Sequence, residues 1–418
     1  MAGGKGRVRP APGAWQEFLA SEAGAGILLI ACAVIAMIWA NSPAYEAYRA
    51  LKELPVALRL GSMELDMTLA EWVKHGLMSI FFLAVGLEIK RELLAGELAD
   101  PRRAALAVIA AVGGMVVPAA IYSVVNAGGP GAPGWGIPMA TDIAFALGVL
   151  SLLGPRVPVG LKVFLTAVAI VDDLGAVLVI ALFYSGGLQP GPLLLMAVAL
   201  AGALAYGRLA RGQHLAVYLL FGLLAWYGSL QGGISPSVAA VLLALTVPME
   251  ATEGAGPARG TGGPAGSGTT PAHAAAGPLH RLEHMLSPWV TYAILPLFAL
   301  LTAGVSLEAA SPSRVTMGAF LGLLLGKPAG LLSASWLAVR AGWASLPAGT
   351  GWSAMAGAGL LAGIGFTMSL FIAGLAFDGT PYLDQAKIGV LTASAVAGIA
   401  GLAVLSAGTA RSATRATR

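Results

Sequence analysis

Residues 161–184 read LKVFLTAVAIVDDLGAVLVIALFY, an apolar run in which two adjacent acids, Asp172 and Asp173, lie at the centre. A helix needs about 20 apolar residues to cross a ~30 Å hydrocarbon core, and this run is long enough. A charge in the middle of such a helix costs several kcal/mol unless it is paired or hydrated. The stretch therefore predicts a membrane-spanning helix whose two acids serve a function.

The rest of the chain has a similar composition. Of its 418 residues, 57% are hydrophobic and 11% are charged, whereas roughly a quarter are charged in soluble domains. Long apolar runs recur and predict an all-α polytopic membrane protein, which excludes an ordinary soluble enzyme. The single cysteine, Cys32, excludes an intramolecular disulfide and multi-cysteine zinc sites. Twelve transmembrane helices are predicted, near residues 24–40, 69–94, 103–126, 135–153, 161–184, 191–209, 215–230, 234–248, 284–305, 314–339, 352–376 and 384–407.

Lys and Arg residues indicate how these helices are oriented. Twelve spans would put both termini on one side, and most Lys and Arg residues lie in the tails and loops of that side. Basic loops are retained in the cytoplasm, so both termini are predicted to be cytoplasmic. The net charge of +4 is therefore an orientation signal, and no nucleic-acid partner is expected.

A single domain of twelve transmembrane helices is predicted over residues 24–408. Residues 1–23 and 409–418 would form cytoplasmic tails. Residues 252–278 consist mostly of Gly, Ala, Pro, Ser and Thr, a composition typical of a flexible linker. We expect this linker to lie in the cytoplasm.

A small external β-hairpin is predicted near residues 56–67. Apolar and polar residues alternate there around a Gly-Ser turn, which would set Arg59 opposite Glu64 and Leu58 opposite Leu65. An isolated hairpin is marginally stable in water. Its apolar face is therefore expected to pack on a second copy of the chain or on its own subunit.

Two further charges interrupt apolar runs, Asp142 and Lys327. Adjacent helical residues point ~100° apart, so Asp172 and Asp173 cannot both serve one partner. In the simplest arrangement, one carboxylate pairs with Lys327 and the other faces a water-filled cavity. Neighbouring carboxylates and removal from water both favour the protonated form, and carboxylate oxygens suit a small alkali cation. One cluster could thus hold either protons or a cation; a purely structural ion-pair network is the alternative.

Two of the predicted helices contain breakers at mid-depth. Pro138 lies shortly before Asp142, and Gly363 and Gly365 interrupt the eleventh helix. A break exposes partly charged backbone ends that lipid cannot satisfy. If the two breaks cross, Asp142 would offset the N-terminal ends and Lys327 the C-terminal ends. A Gly pair can instead mark close helix packing, but breaks at matching places in the two halves favour a transport site.

Several strings resemble, in order along nearly the whole chain, those of the NhaA family of Na+/H+ antiporters. They are FFLAVGLEIKRE at 81–92, ATDIAFALG at 140–148, VDDLGA at 171–176, RLEH at 281–284, GKP at 326–328 and GIGFTMS at 363–369. The association of broken helices with transport sites is itself based partly on this family. The two breaks and the matching strings are therefore not independent evidence for transport.

The resemblance implies electrogenic exchange of internal Na+ or Li+ for external protons by alternating access, with a role in pH and sodium homeostasis. It implies a multi-pass protein of the bacterial inner membrane, with inverted repeats formed by helices three to five and ten to twelve and with two crossing discontinuous helices. A homodimer through the external hairpin, contact with membrane lipid, and the absence of a cofactor or enzymatic activity are further expectations.

Carried over by position, the resemblance also assigns the site. Asp172 and Asp173 would bind the transported Na+ or Li+ and the protons. Asp172 would pair with Lys327, and Thr141 and Asp142 would line the site and balance the helix ends.

A second group of charges lies near the cytoplasmic end of the second predicted helix. Glu88, Arg91 and Glu92 share one helical face because they are three and four residues apart. The resemblance implies that they form a pH-responsive cluster with Glu283 and His284. The alternative is a solvated helix end with local ion pairs.

The chain departs from the family pattern at two places. It has Lys74-His75 where the family usually has Asn-Asp, and Ser235 where a His is usual. These departures leave the predicted ion site intact and put the pH range of activity in doubt, since the imidazole of His75 could be a new titrating group. A neutral histidine at the membrane boundary is the alternative.

Rival functions also use paired carboxylates. A membrane prenyltransferase would need a further Asp for Mg²⁺ and diphosphate, yet Leu174 follows the pair. An intramembrane aspartyl protease would place two acids on separate helices without a neutralising Lys327. A sodium-coupled organic anion symporter would keep the fold, but competition of protons and a cation for one cluster favours exchange.

Overall fold

The computed structural model describes residues 22–60, 63–209, 214–249, 277–306 and 313–416. Most of these residues are helical. The tail up to residue 21 and nearly all of the predicted linker lie outside the described residues, so the expectations for them stay predictions. The helices are α1 (Glu22–Ala40), α2 (Tyr45–Lys52), α3 (Leu69–Ala95), α4 (Pro101–Val125), α5 (Ile143–Ser151), α6 (Val159–Phe183), α7 (Pro190–Leu209), α8 (Leu215–Gln231), α9 (Pro236–Thr246), α10 (Pro278–Thr302), α11 (Arg314–Arg340), α12 (Trp352–Ala362), α13 (Phe366–Ala376) and α14 (Tyr382–Ala416), and the strands are β1 (Pro55–Leu60) and β2 (Met63–Thr68).

The helices identify a multi-pass membrane protein. Within the described ranges, nine helical segments are long and apolar enough to cross a membrane, or ten if the bent pair α12 and α13 counts as one span. Helices α8 and α9, with 17 and 11 residues, are apolar but shorter. The membrane class is thus confirmed, while the count of twelve spans and the inverted repeats stay predictions.

Some helix boundaries differ from those predicted. Helix α10 begins at Pro278 rather than at residue 284, and α14 continues to Ala416 beyond the predicted end at residue 407. Charged residues mark where an apolar run ends, but a helix can extend past that point into water. Pro278 occupies the first helical position, where its missing N–H leaves no bond unmade. The short helix α2 was not predicted.

The molecular surface is apolar where a soluble protein would be polar. On α6, Leu182 and Phe183 are 74% and 61% exposed, whereas Asp172 and Asp173 are 0% and 2% exposed. This distribution reverses that of soluble folds, in which acids are almost never fully buried unless paired. The outer face of α6 therefore suits hydrocarbon, and its two acids lie inside the bundle.

Helices α4 and α11 pack backbone against backbone. A Cβ on Gly330 would lie 2.1 Å from Gly113 O, and one on Gly326 would lie 2.7 Å from Pro118 Cα. Small residues allow such close approach between membrane helices. The contact brings Lys327 of α11 into the protein interior, where its side chain is 0% exposed.

The predicted β-hairpin is confirmed. Strands β1 and β2 pair antiparallel in a register that sets Arg59 opposite Glu64 and Leu58 opposite Leu65. The Gly-Ser turn lies outside the described residues. The indole of Trp72 in α3 donates to Val56 O at 2.8 Å, which fixes the hairpin to the helix that follows it.

Candidate ion-binding site

Two chain segments change from one helix to another inside the bundle. In the first, a 3-10 segment over Ala132–Met139 is followed by extended residues and then by α5. Pro138 lies near the end of the 3-10 segment. In the second, α12 and α13 are bent by 42° around Gly363 and Gly365. Each break leaves backbone groups without a partner in its own helix.

The two breaks contact each other and satisfy some of those groups. Asp142 N donates to Ile364 O at 2.7 Å, and Ser369 Oγ donates to Ile137 O at 2.7 Å. Glycine at the second break allows this close approach, because a Cβ on Gly365 would lie only 3.1 Å from Ala140 O of the first break. The backbone of one break is therefore completed by the other, as hydrocarbon requires.

Asp142 caps two helices at once. Its Oδ1 accepts from Phe145 N of α5 at 2.9 Å, and its Oδ2 accepts from Thr367 N of α13 at 3.0 Å. The hydroxyl of Thr367 also donates to Oδ2. A carboxylate at two helix N-termini offsets the partial positive charge of both. Sequence reasoning did not single out Thr367, although its place just after the Gly365 break marks it as a first-turn residue.

Lys327 lies at a helix end of the opposite partial charge to those that Asp142 caps. Its ammonium group donates to Met139 O, at the end of the 3-10 segment, and forms an ion pair with Asp172 Oδ2. Both side chains of the pair are fully buried. One cation thus faces a helix end with partial negative charge and one carboxylate.

Thr141 connects the ion pair to the second break. Its Oγ1 lies 2.8 Å from both Asp172 Oδ2 and Ala362 O, and its single hydrogen can be donated to only one of them at a time. The hydroxyl oxygen is a further neutral oxygen beside the acids. Sequence reasoning missed the Met139 and Ala362 carbonyls, since every residue has one and only the fold brings these two here.

Two buried carboxylate oxygens complete the site. Oδ1 of Asp172 and Oδ1 of Asp173 have no hydrogen-bond partner among the described residues. Asp173 interacts electrostatically with Asp172, Glu88, Asp142 and Lys327. Buried polar atoms are nearly always paired, so unpaired oxygens at this depth are available to a proton or a hard cation. In the described part of the chain, no three His, Cys, Asp or Glu side chains are grouped as at a metal site.

The structure also brings together the second predicted cluster. Arg91 lies 2.9 Å from Glu283, 3.1 Å from Glu92 and 3.9 Å from Glu88, measured between charged atoms. Its side chain is one-third exposed. His284 is exposed on α10 beside Glu283. The cluster lies at the end of α3 opposite the hairpin.

The family departures lie apart from the Asp pair. The backbone oxygen of His75 accepts from Trp226 Nε1 at 2.7 Å and from Ser79 Oγ at 2.6 Å. Ser235 Oγ lies 2.7 Å from Ser237 Oγ. Neither contact reaches the acids of the broken helices.

Buried acids and a lysine at the contact of two broken helices, inside an apolar helical protein, define a membrane transporter of the type that binds its substrate at discontinuous helices. The model of one family, described as Na+/H+ antiporter 1, matches residues 16–405. The chain belongs to this family.

Curated relatives support this membership. The chain is 48% identical to the Na(+)/H(+) antiporter NhaA of Oleidesulfovibrio alaskensis, with 92% of this chain and 91% of that protein covered. It is 48% identical to the protein of the same name from Rhodospirillum rubrum, with 92% and 94% covered. It is 45% identical to the NhaA of an Escherichia coli strain, with 92% and 95% covered.

Proposed function

We propose that the protein is an electrogenic antiporter that exports Na+ or Li+ in exchange for a larger number of external protons. The observation that carries the proposal is the pair of unpartnered buried oxygens on Asp172 and Asp173, beside the contact of two broken helices. The relatives' names support it, since each is named a Na(+)/H(+) antiporter. The protein is accordingly a transporter rather than an enzyme.

Competition for one set of oxygens is the proposed mechanism. A cation bound by Asp172 and Asp173 requires both carboxylates to be ionised, because a protonated carboxyl offers less negative charge. Protons binding from the other side of the membrane neutralise the acids and release the cation. Lys327 balances Asp172 in one state, while Thr141 supplies a neutral oxygen. Asp142 holds the two helix N-termini in place and shares the site.

The proposed architecture is a bacterial inner-membrane protein of twelve spans. Twelve spans, with α8 and α9 counted as short spans, would form one domain over residues 24–408 with both termini in the cytoplasm of the bacterial inner membrane. The distribution of Lys and Arg supports this orientation. Contact between the breaks supports two crossing discontinuous helices within inverted repeats. The hairpin would then be external.

The Arg91 cluster is proposed to tune activity with pH. Arg91 and three acids, Glu88, Glu92 and Glu283, meet at the cytoplasmic end of α3 within one ion-pair network. His284 adjoins this network in sequence. Protonation of any acid would loosen the network on the side from which Na+ enters, and so could couple cytoplasmic pH to the entry route.

An assay in everted membrane vesicles tests the function. With the protein present, addition of NaCl or LiCl is expected to collapse an acid-interior pH gradient, measured with a fluorescent pH probe, because entering cations displace outgoing protons. Vesicles without the protein are the control. Absence of a response to both cations across the pH range would contradict the proposal, and a response that required an organic anion would favour the symporter.

The hairpin is proposed to join two copies of the chain. Val56 and Leu58 of β1 are 37% and 46% exposed, whereas Leu65, which pairs with Leu58, is 8% exposed. The apolar face is therefore covered along β2 and open along β1. An open strand with apolar side chains suits pairing with a second copy.

Removal of the hairpin tests this dimer. Deletion of residues 56–67 is expected to shift the detergent-solubilised protein from dimer toward monomer, measured by light scattering during gel filtration. The point variant Leu58→Lys should act in the same direction while keeping the hairpin. Ala57→Lys, on the opposite face of β1, is the matched control. A dimer fraction unchanged by both deletion and Leu58→Lys would refute the proposal.

A further inference from the structure

Lys74 connects two helices on the hairpin side of the molecule. Its Nζ donates to Gly374 O in the last turn of α13 at 2.8 Å and forms an ion pair with Asp378 Oδ2 at 2.7 Å. The side chain of Lys74 is 15% exposed and that of Asp378 is 66% exposed. An ammonium group at a helix C-terminus offsets the partial negative charge there. Lys74 thus attaches the end of α13 to the beginning of α3.

A second contact joins the same helices at greater depth. The ring of Phe82 in α3 lies 5.2 Å from that of Phe371 in α13, and Phe298 of α10 lies 6.3 Å from Phe371 on another side. All three rings are at most 2% exposed. Along α13, the order from the break toward the hairpin side is Thr367, Phe371 and Gly374. The aromatic contact therefore lies between the ion site and the Lys74 contact.

The end of α3 far from the hairpin is more exposed. Glu88 and Arg91 there have side chains that are one-third exposed, and Glu88 is the acid of α3 that interacts electrostatically with Asp173. On the hairpin side, by contrast, the buried rings and the Lys74 contact join α3 to α13. The seam between these two helices is therefore closed on that side of the ion site.

Helix α13 contributes a residue to the ion site, whereas α3 does not. Helix α13 carries Thr367, which binds Asp142, and so belongs to the ion site. None of Thr141, Asp142, Asp172, Asp173 and Lys327 lies on α3. An external route that ran between these two helices would require α13 to separate from α3 beyond Phe371.

We propose that Lys74 is a positioning residue that latches α13 to α3 and thereby favours the conformation closed to the outside. The inference rests on the proposed exchange of Na+ for protons. The latch must break in each cycle, which suits a partly exposed ion pair, since such pairs contribute little to stability.

Transport measured from both sides tests the latch. Removing an interaction present in one state shifts the ratio of states, and each side's apparent affinity scales with the fraction of protein open to that side. Lys74→Met and Asp378→Asn are expected to raise the ratio of the cytoplasmic to the external apparent KM for Na+ by about two- to fivefold. Everted and right-side-out proteoliposomes of the full-length protein give the two values.

Matched variants separate the latch from general damage. Lys74→Arg keeps both contacts and should retain the unmodified KM ratio. Arg49→Met removes an ion pair with Glu53, the residue that follows α2, and should leave the ratio unchanged. If Lys74→Met also leaves it unchanged while the unmodified protein exchanges Na+ for protons, the latch is refuted. Absence of exchange in the unmodified protein would instead contradict the proposed function.

Cross-linking tests whether the helices must separate. In a Cys32→Ala background, which removes the single cysteine, Lys74→Cys and Asp378→Cys are joined by a short reducible thiosulfonate cross-linker. Cross-linking is expected to stop exchange, and dithiothreitol to restore it. The same treatment of each single-cysteine protein should leave exchange unchanged. Exchange by the cross-linked protein at the rate of the reduced protein, or failure of the pair to cross-link, would overturn the inference.

Discussion

Asp173→Asn is expected to abolish Na+- and Li+-induced collapse of the pH gradient in everted vesicles, to the level of vesicles without the protein. The amide keeps the volume of the carboxyl group but cannot ionise or bind the transported proton. Because Asp173 is 2% exposed and its Oδ1 has no partner among the described residues, the change removes a candidate ligand without removing an observed contact of that oxygen. Folding should therefore be retained, which gel filtration in detergent can check.

Asp172→Asn should abolish exchange as well, through loss of both the ligand and the partner of Lys327. Asp384→Asn, a change of the same chemistry on the exposed part of α14, is the control and should exchange normally. Full activity of both the Asp172 and Asp173 variants would leave the proposed mechanism without its binding groups. Loss in one variant alone would assign the cation and the protons to that residue.

Lys327→Ala is expected to destabilise the protein by about 3–5 kcal/mol, because it leaves the Asp172 carboxylate buried without its charge partner. It also removes the donor to Met139 O. Thermal unfolding in detergent, followed by tryptophan fluorescence, would show a lower midpoint temperature.

A second substitution isolates the charge pair from the lost side chain. In the double variant Lys327→Ala with Asp172→Asn, no unpaired charge remains at this position, so part of the lost stability should return. An unchanged midpoint for Lys327→Ala alone would argue that the pair contributes nothing to the fold. Equal destabilisation in the single and double variants would assign the effect to packing.

The membrane class, the hairpin and the breaks could be predicted from local patterns. The alternation around Gly61-Ser62 was enough to place Leu58 opposite Leu65, since strand pairing across a short turn has few possible registers. Pro138 and the Gly363/Gly365 pair marked the two interruptions because each residue type disturbs a helix by its own covalent structure. The first residue of α10 could not be predicted in this way, because Pro278 begins a polar turn and low hydropathy predicts a loop there.

Which side chains pair with each other at the candidate site could be determined only from the tertiary structure. The residues alone left open which acid meets Lys327, and only the resemblance favoured Asp172. Helix rotation sends adjacent side chains in different directions, so the selection depends on how α11 packs against α4 through Gly113 and Gly330. The Met139 carbonyl became a partner of Lys327 for the same reason.

By itself, the sequence determined that a few charges lie among apolar helices and that two of those helices are interrupted. These properties follow from residue type and spacing along one segment, which sterics and hydropathy control locally. Only the tertiary structure decided that the breaks complete each other's hydrogen bonds, that Thr367 shares Asp142, and that Lys74 reaches Asp378. Such contacts join segments far apart in the chain, and their geometry depends on the packing of whole helices.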